Sequence, residues 1–205
     1  MKKLRVLVGC EYSGTVRDAF LALGHDAMSC DLLPSDVGGP HYQGDIFDVI
    51  DEGWDIGIFH PPCTYLTNAS NKWLYQDGKK HTAAERWELM REGAQFFKRL
   101  LDCSIPKTAL ENPIMHKHAI EIIGRRQDQL VQPWMFGHTE RKATCFWLKG
   151  LPKLVPTNDV KAVMLKLPKR EQQRLHYLPP SADRWKLRSK TFDGIALAMA
   201  QQWGK

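Results

Sequence analysis

Two short segments carry the residues best suited to chemistry. Pro61-Pro62-Cys63 follows the apolar run Asp55 to Phe59, and Glu111-Asn112-Pro113 follows Thr108 to Leu110. Prolines fix the backbone, so each polar side chain is held rigidly at the tip of a strand. A thiol so placed is a nucleophile if amide donors or a nearby cation lower its pKa; otherwise it is a structural cysteine in a stiff loop. A carboxylic acid beside it tips the balance, because it protonates or hydrogen-bonds a ring nitrogen while the sulfur adds to the ring. The Cys63 and Glu111 pair suits conjugate addition to a pyrimidine. Attack at C6 there makes C5 nucleophilic enough to take a methyl group.

A second constellation lies nearer the N-terminus. Leu4 to Val8 is a buried-strand run ending at Gly9, and Cys10-Glu11-Tyr12-Ser13-Gly14 forms the turn into a helix. Such a turn lets a ligand approach the backbone and the helix amides. It is not a GxGxxG turn, and Glu11 would repel a pyrophosphate, so a dinucleotide is disfavoured. A ligand with a cationic amino group suits that carboxylate better. Asp31 closes the next strand, where an acidic residue grips ribose hydroxyls. Asp45, at the following strand end, is placed to accept from an adenine amine, with Ile46 packing on the ring. Both aspartates also suit turn capping. Together with Glu11 they describe a nucleoside with a cationic amino-acid tail, which is S-adenosylmethionine.

The elements that must position these residues alternate strand and helix through the first 125 residues. A helix is expected over Thr15 to Leu23, stopped by Gly24, a strand over His25 to Cys30, and a Pro- and Gly-rich loop over Pro34 to Gly44. A long helix spans Ala83 to Leu101, with Trp87, Met90, Ala94, Phe97 and Leu101 on one stripe. Leu130 to Phe136 and Ala143 to Leu148 read as the arms of an antiparallel hairpin, and Thr191 to Trp203 as a closing amphipathic helix. This is a doubly wound, mostly parallel α/β sheet with a C-terminal antiparallel hairpin, and ligands in such sheets sit beyond the carboxyl ends of the strands. The polar loop from Thr64 to His81, with Trp73 and Tyr75, is long enough to close over a flipped base.

The composition of 205 residues, 43% apolar and 25% charged, fits one soluble globular domain. No apolar run reaches the roughly 20 residues of a membrane span. The N-terminal apolar core, Val6 to Val8, is followed by Glu11 and reads as a strand rather than a signal peptide. The five cysteines (Cys10, Cys30, Cys63, Cys103, Cys145) form no CxxC pair, which argues for reduced, separately buried thiols in a cytoplasmic protein. No histidine spacing indicates a metal. Charge is uneven: residues 1–102 carry 11 basic and 15 acidic side chains, residues 103–205 carry 18 and 8. A polyanion against the second half is the expectation.

The order of these features resembles the DNA cytosine-5 methyltransferase family: glycine turn, acidic strand ends, Pro-Pro-Cys loop, Glu-Asn turn, hairpin and final helix with Gly194 near its start. The resemblance spans essentially the whole chain. It implies a class I S-adenosylmethionine-dependent methyltransferase fold acting on cytosine C5 in DNA, single-stranded or with a base flipped from the duplex. Cys63 is then the nucleophile, Glu111 contacts N3 and the exocyclic amine, Asn112 belongs to the same turn, and Arg141 contacts O2. The donor site comprises Cys10, Glu11, Tyr12, Ser13, Gly14, Asp31, Leu32, Asp45, Ile46 and Pro61. The chain departs from the family at Glu11, where a small residue is usual, and at Thr139-Glu140-Arg141-Lys142, which matches the glutamine-arginine-arginine element only in part. It also lacks a large target recognition domain. Residues 1–149 are read as the catalytic core and 189–205 as a returning helix. Between them, 150–188 holds a short basic clamp in which Lys169, Arg170, Arg174, Arg184, Lys186 and Arg188 meet nucleic acid and Trp185 and Tyr177 stack. RNA or free-nucleotide pyrimidine C5 methylation, exocyclic amine methylation and a catalytically silent nucleic-acid-binding fold are the alternatives.

Overall fold

The computed structural model describes residues 2–205. Seven strands form one sheet: β1 (Arg5–Gly9), β2 (Asp26–Asp31), β3 (His41–Gln43), β4 (Ile56–Phe59), β5 (Lys107–Asn112), β6 (Gln129–Val131) and β7 (Thr144–Lys149), in the order β3-β2-β1-β4-β5-β7-β6. The first five are parallel; β7 runs antiparallel to both β5 and β6. The fold is α/β, doubly wound and mostly parallel, with an antiparallel C-terminal pair. Helix α1 (Thr15–Ala22) packs on α7 (Asp193–Trp203) over one face, and α2 (Ala83–Leu101) on α3 (Lys117–Ile123) over the other.

Strand β1 is central, so its alternating side chains go to two cores. Val6 and Val8 join Val16, Phe20, Met199 and Trp203, whereas Leu7 joins Phe59, Met90, Phe97 and Trp147. Helix α2 begins at a capping box in which Thr82 and Glu85 bond each other's backbone amides, and its buried stripe is Met90, Ala94, Phe97 and Leu101. Helix α1 ends one residue earlier than its apolar spacing suggests, at Ala22, and Gly24 turns the chain at φ +86°. Helix α7 is more buried than amphipathic, with only Leu197 among its large apolar residues exposed. A side chain at Gly194 would collide with the Phe136 carbonyl oxygen, so only glycine lets this helix start so close to the β6–β7 connection.

Three expectations need correction. The first hairpin arm is only three residues long: β6 stops before Pro133, and Pro133–Met135 is a 3-10 turn, because proline cannot donate to the ladder. Strand β3 is an additional edge strand inside the Pro- and Gly-rich loop. The segment after Cys63 is not a free polar loop. It contains a 3-10 stretch, Asn68–Leu74, anchored by buried Leu66 and Leu74 and bridged from Thr67 to Met115.

Residues 150–190 contain α4 (Lys161–Lys166), α5 (Lys169–Gln172) and α6 (Arg184–Ser189). Buried Met164 and Gln172 seat the first two. Helix α6 lies against the turn after β1, with the Tyr12 and Trp185 rings 5.7 Å apart and the Tyr12 hydroxyl 3.0 Å from Ser189 Oγ. Among the described residues, no helix is long and apolar enough to cross a membrane.

Candidate functional site

Register assembles the site. Gly9 is paired with both Cys30 and Phe59, and Phe59 with Leu110. The next residue of each strand therefore emerges on one line: Asp31, Cys10, His60 and Glu111, from left to right across the sheet. Neighbouring strands lie about 4.8 Å apart. The expected donor-side and target-side residues thus share one edge, with His60 next to Glu111.

On the donor side, Cys10 is the only residue other than glycine with a positive φ among those described, at +57°. Burial and the nearby Asp31 push its thiol far above the ordinary range, so it stays protonated. Cys30 is likewise raised to about 12 by burial and then Asp31. All five cysteines are free; Cys30 and Cys145 are buried, and Cys10, Cys63 and Cys103 are partly exposed. Glu11 does not stand open to a ligand. Its carboxylate accepts from the Val16 amide at 2.7 Å and the Arg17 amide at 3.3 Å, and Ser13 Oγ donates to it at 3.2 Å. It caps α1 from five residues upstream, filling the helix N-terminus that a ligand would otherwise use. Gly14, at φ +72°, makes the turn that allows this.

Asp31 accepts the Leu33 amide through Oδ1, and burial raises its carboxyl. Asp45 Oδ1 accepts the Phe47 amide at 3.0 Å. A carboxylate offers about four acceptor positions, so both retain capacity for ligand hydroxyls or amines. Ile46 is buried against Gly9 and belongs to the core rather than to an open ring-binding surface. Leu32 is 74% exposed beside Asp31. The residues present therefore fit the ribose and adenine end of S-adenosylmethionine through Asp31 and Asp45. The amino-acid end finds no unengaged carboxylate at Glu11.

On the target side, the Asn112 amide donates to the Pro61 carbonyl at 2.9 Å, which locks the Pro-Pro-Cys loop to β5. Asn112 Oδ1 is buried without a partner among the described residues. His60 Nδ1 lies 3.4 Å from Glu111 Oε2. Burial works to raise the Glu111 carboxyl, but the His60 hydrogen bond and the charge of Lys142 outweigh it, and the group sits below the usual range. Burial, and then the Glu111 charge, push the Cys63 thiol up, while Lys142 and Arg188 pull it down. The resting pair is a thiol facing a carboxylate.

Lys142 was not singled out by the sequence, which pointed to its neighbour. Arg141 is exposed, tied by its backbone amide to the Gln172 carbonyl, and its guanidinium makes no hydrogen bond or ion pair among the described residues. The cation that faces both Glu111 and Cys63 is Lys142, held by a 2.7 Å hydrogen bond to the Arg188 carbonyl. Lys142 also lines, with Glu111, Thr144, Phe146, Thr191, Phe192, Ile195 and Met199, a narrow cavity beneath the site. These contacts set opposite signs for two substitutions. The alkylation rate of Cys63 by iodoacetamide, followed against pH, is expected to have a midpoint above that of an ordinary thiol. Lys142→Met moves it further up, and Glu111→Gln moves it down; peptide mass spectrometry reads the modification at Cys63.

The six basic residues of the expected clamp differ in what engages them. Lys169 and Arg170 are exposed on α5, and the Arg188 charge reaches Cys63. Arg184 donates to the His176 carbonyl, and Lys186 Nζ sits 5.8 Å from the Trp185 ring and 6.0 Å from Tyr12. Arg174 is paired at 3.0 Å with Glu140, whose side chain is 9% exposed, and Glu140 also accepts the Leu175 amide. Its task is to compensate a buried carboxylate, so Arg174→Ala costs about 1–3 kcal/mol. That is a loss in melting temperature of roughly 2–4 °C per kcal/mol, read by calorimetry. Lys169→Ala and Arg170→Ala leave the melting temperature unchanged, because both side chains are exposed and neither is bonded among the described residues.

No protein-family model and no curated protein matches the sequence. Among solved structures, the chain is similar to the Entamoeba histolytica methyltransferase EhMeth, with a TM-score of 0.50 and 12% identity over 78% of this chain and 58% of that one. It is also similar to the Schizosaccharomyces pombe Dnmt2 methyltransferase, with a TM-score of 0.43 and 13% identity over 89% of this chain and 61% of that one. The first likeness is one of fold: that protein and this chain share the α/β architecture described above. The chain spans about three fifths of the length of either neighbour. Among the described residues, no group of three or more His, Cys, Asp or Glu side chains is arranged to hold a metal ion.

Proposed function

We propose that this protein is a methyltransferase that transfers a methyl group from S-adenosylmethionine to C5 of cytosine in DNA through a covalent Cys63 adduct. The observation that carries this reading is the seating of the Pro61-Pro62-Cys63 loop on the end of β5, where Asn112 bonds the Pro61 carbonyl at 2.9 Å beside Glu111, with the charges of Lys142 and Arg188 reaching the sulfur. Moving one proton from Cys63 to Glu111 yields a thiolate and a carboxylic acid, the two forms that addition to a pyrimidine needs. The sulfur then bonds C6 with its electron pair, and the Glu111 proton goes to N3 as the ring π electrons shift toward C5. Lys142 and Arg188 favour the thiolate, and Asn112 holds the loop that aims it. Asp31 and Asp45 hold the nucleoside end of the donor, beside the turn from Cys10 to Gly14. S-adenosylmethionine, when bound, supplies the electrophilic methyl group that C5 accepts. Water then takes the C5 proton as the Cys63 sulfur leaves C6 with its bonding electrons, and N3 returns its proton through Glu111 to the thiolate, which restores the aromatic ring and the resting pair.

Lys169, Arg170 and Arg188, with exposed Trp185 and Tyr177, support a polymeric substrate, because phosphate contacts supply most of non-specific affinity and aromatic faces stack bases. The test is covalent trapping with S-adenosylmethionine and 5-fluorocytosine substrates, since fluorine at C5 blocks the last elimination. A band on a denaturing gel with DNA, lost in Cys63→Ala, supports the reading. A band only with RNA, or an adduct mass only with the free nucleotide, replaces DNA as substrate. Methylation of DNA without any adduct, unaffected by Cys63→Ala, moves the assignment to an exocyclic amine.

A further inference from the structure

His60 has no role in the scheme above, yet among the described histidines it alone is hydrogen-bonded to Glu111, the carboxylate that the scheme uses. Buried His25 accepts the Leu4 amide on Nδ1 and leaves Nε2 without a partner among the described residues, whereas two other histidines use both ring nitrogens. His116 accepts the Ala119 amide on Nδ1 and meets the Tyr65 carbonyl at 3.0 Å through Nε2. His41 meets Ser29 Oγ at 2.8 Å and the Leu33 carbonyl at 3.0 Å. His60 is 9% exposed, and its single side-chain partner is Glu111; Nε2 is buried with no partner among the described residues.

The donor direction is fixed by chemistry. An ionised carboxylate only accepts, so the proton of the pair sits on Nδ1 and points at Oε2. The ring has little freedom: the His60 amide donates to the Gly9 carbonyl at 2.9 Å, and Pro61 follows. Oε1 of Glu111, by contrast, makes no hydrogen bond among the described residues, because Lys142 is bonded to Arg188 instead. One oxygen of the carboxylate is pinned from β4 and the other is left for a ligand.

We propose that His60 is a positioning residue: its Nδ1–H holds Oε2 of Glu111 so that Oε1 is presented to the N3 and amine edge of the target pyrimidine. This rests on the cytosine-directed reading of the site. The groups that face Glu111 are His60 from the end of β4, Cys63 from the following loop, Lys142 from the connection before β7, and Cys145 from β7. Of these, only His60 donates a hydrogen bond to the carboxylate.

The experiment compares wild type, His60→Leu and His60→Asn, whose amide nitrogen replaces Nδ1 as donor. Carbonyl-carbon NMR follows the titration of Glu111 without any need for turnover, and methyl transfer is measured across pH. In His60→Leu the Glu111 titration is expected to move up, kcat to fall about 10–100-fold with KM for DNA within roughly twofold, and the acid limb of the rate profile to shift to higher pH. His60→Asn restores both the titration and the limb toward wild type. An unchanged Glu111 titration in His60→Leu overturns the inference. If wild type forms no 5-fluorocytosine adduct, the parent reading fails, and the NMR comparison still decides whether His60 governs Glu111.

Discussion

Cys63→Ala is expected to abolish methyl transfer to cytosine, with turnover falling by roughly 10⁴-fold or more while binding of the methyl donor is retained. Loss of a nucleophile in a covalent mechanism is among the largest single-residue effects in enzymes. Among the described residues the thiol bonds no other side chain, and its loop is fixed independently by Asn112 on the Pro61 carbonyl, so the variant keeps its fold. Transfer of tritium from labelled donor to DNA, set beside calorimetric donor binding, separates the two quantities. Cys63→Ser retains shape and an oxygen nucleophile but should behave nearly as the alanine variant, because a hydroxyl titrates far above a thiol. Unchanged turnover in both variants would remove the covalent mechanism.

The largest stability effect is expected at Arg17, which is fully buried. Its guanidinium donates to the Gly38 carbonyl at 2.6 Å, Ser29 Oγ at 3.0 Å, the Pro40 and Ser35 oxygens at 3.4 Å, and Asp18 at 2.8 Å. Arg17→Met leaves those acceptors without a donor and opens space beneath Gly14 and Gly39, both of which crowd the guanidinium. The expected cost is about 3–5 kcal/mol, the range for breaking a buried charged network. Arg17→Lys recovers little, because an ammonium cannot serve divergent acceptors as a planar fork does. Since Arg17 pins residues 35–40 ahead of β3, proteolytic cutting there should accelerate before global unfolding, and donor affinity should fall with it. A melting temperature within a degree of wild type would contradict this account.

The strand-helix order and the long helix from Ala83 to Leu101 were legible in the sequence because buried parallel strands and a capped apolar stripe leave local signals. Cys63, Glu111 and Asp31 were legible as a group because each follows an apolar run, and register does the rest. Other features depend on contacts that no local pattern carries. Arg17 sits between Val16 and Phe20 on a short helix, and nothing in its spacing distinguishes a buried guanidinium from an exposed one. Glu11 reads as an open carboxylate until the turn folds it back onto α1. Arg141 and Lys142 are adjacent, and only the seating of the preceding loop on Gln172 decides which of them faces the sulfur. His60 stood in view as the residue before Pro61, but its partner is 51 positions away.

Both margins of the sheet are three-residue strands, β3 and β6, and each has a proline close by: Pro40 directly before β3 and Pro133 directly after Gln132 beyond β6. Exposed strand edges template backbone pairing between molecules, and short, proline-flanked edges are how natural sheets prevent it. The more buried strands β1, β4 and β5 are all interior, paired on both sides. The margins therefore offer an incoming strand only a short ladder, which disfavours fibril-like growth of the folded chain by edge pairing.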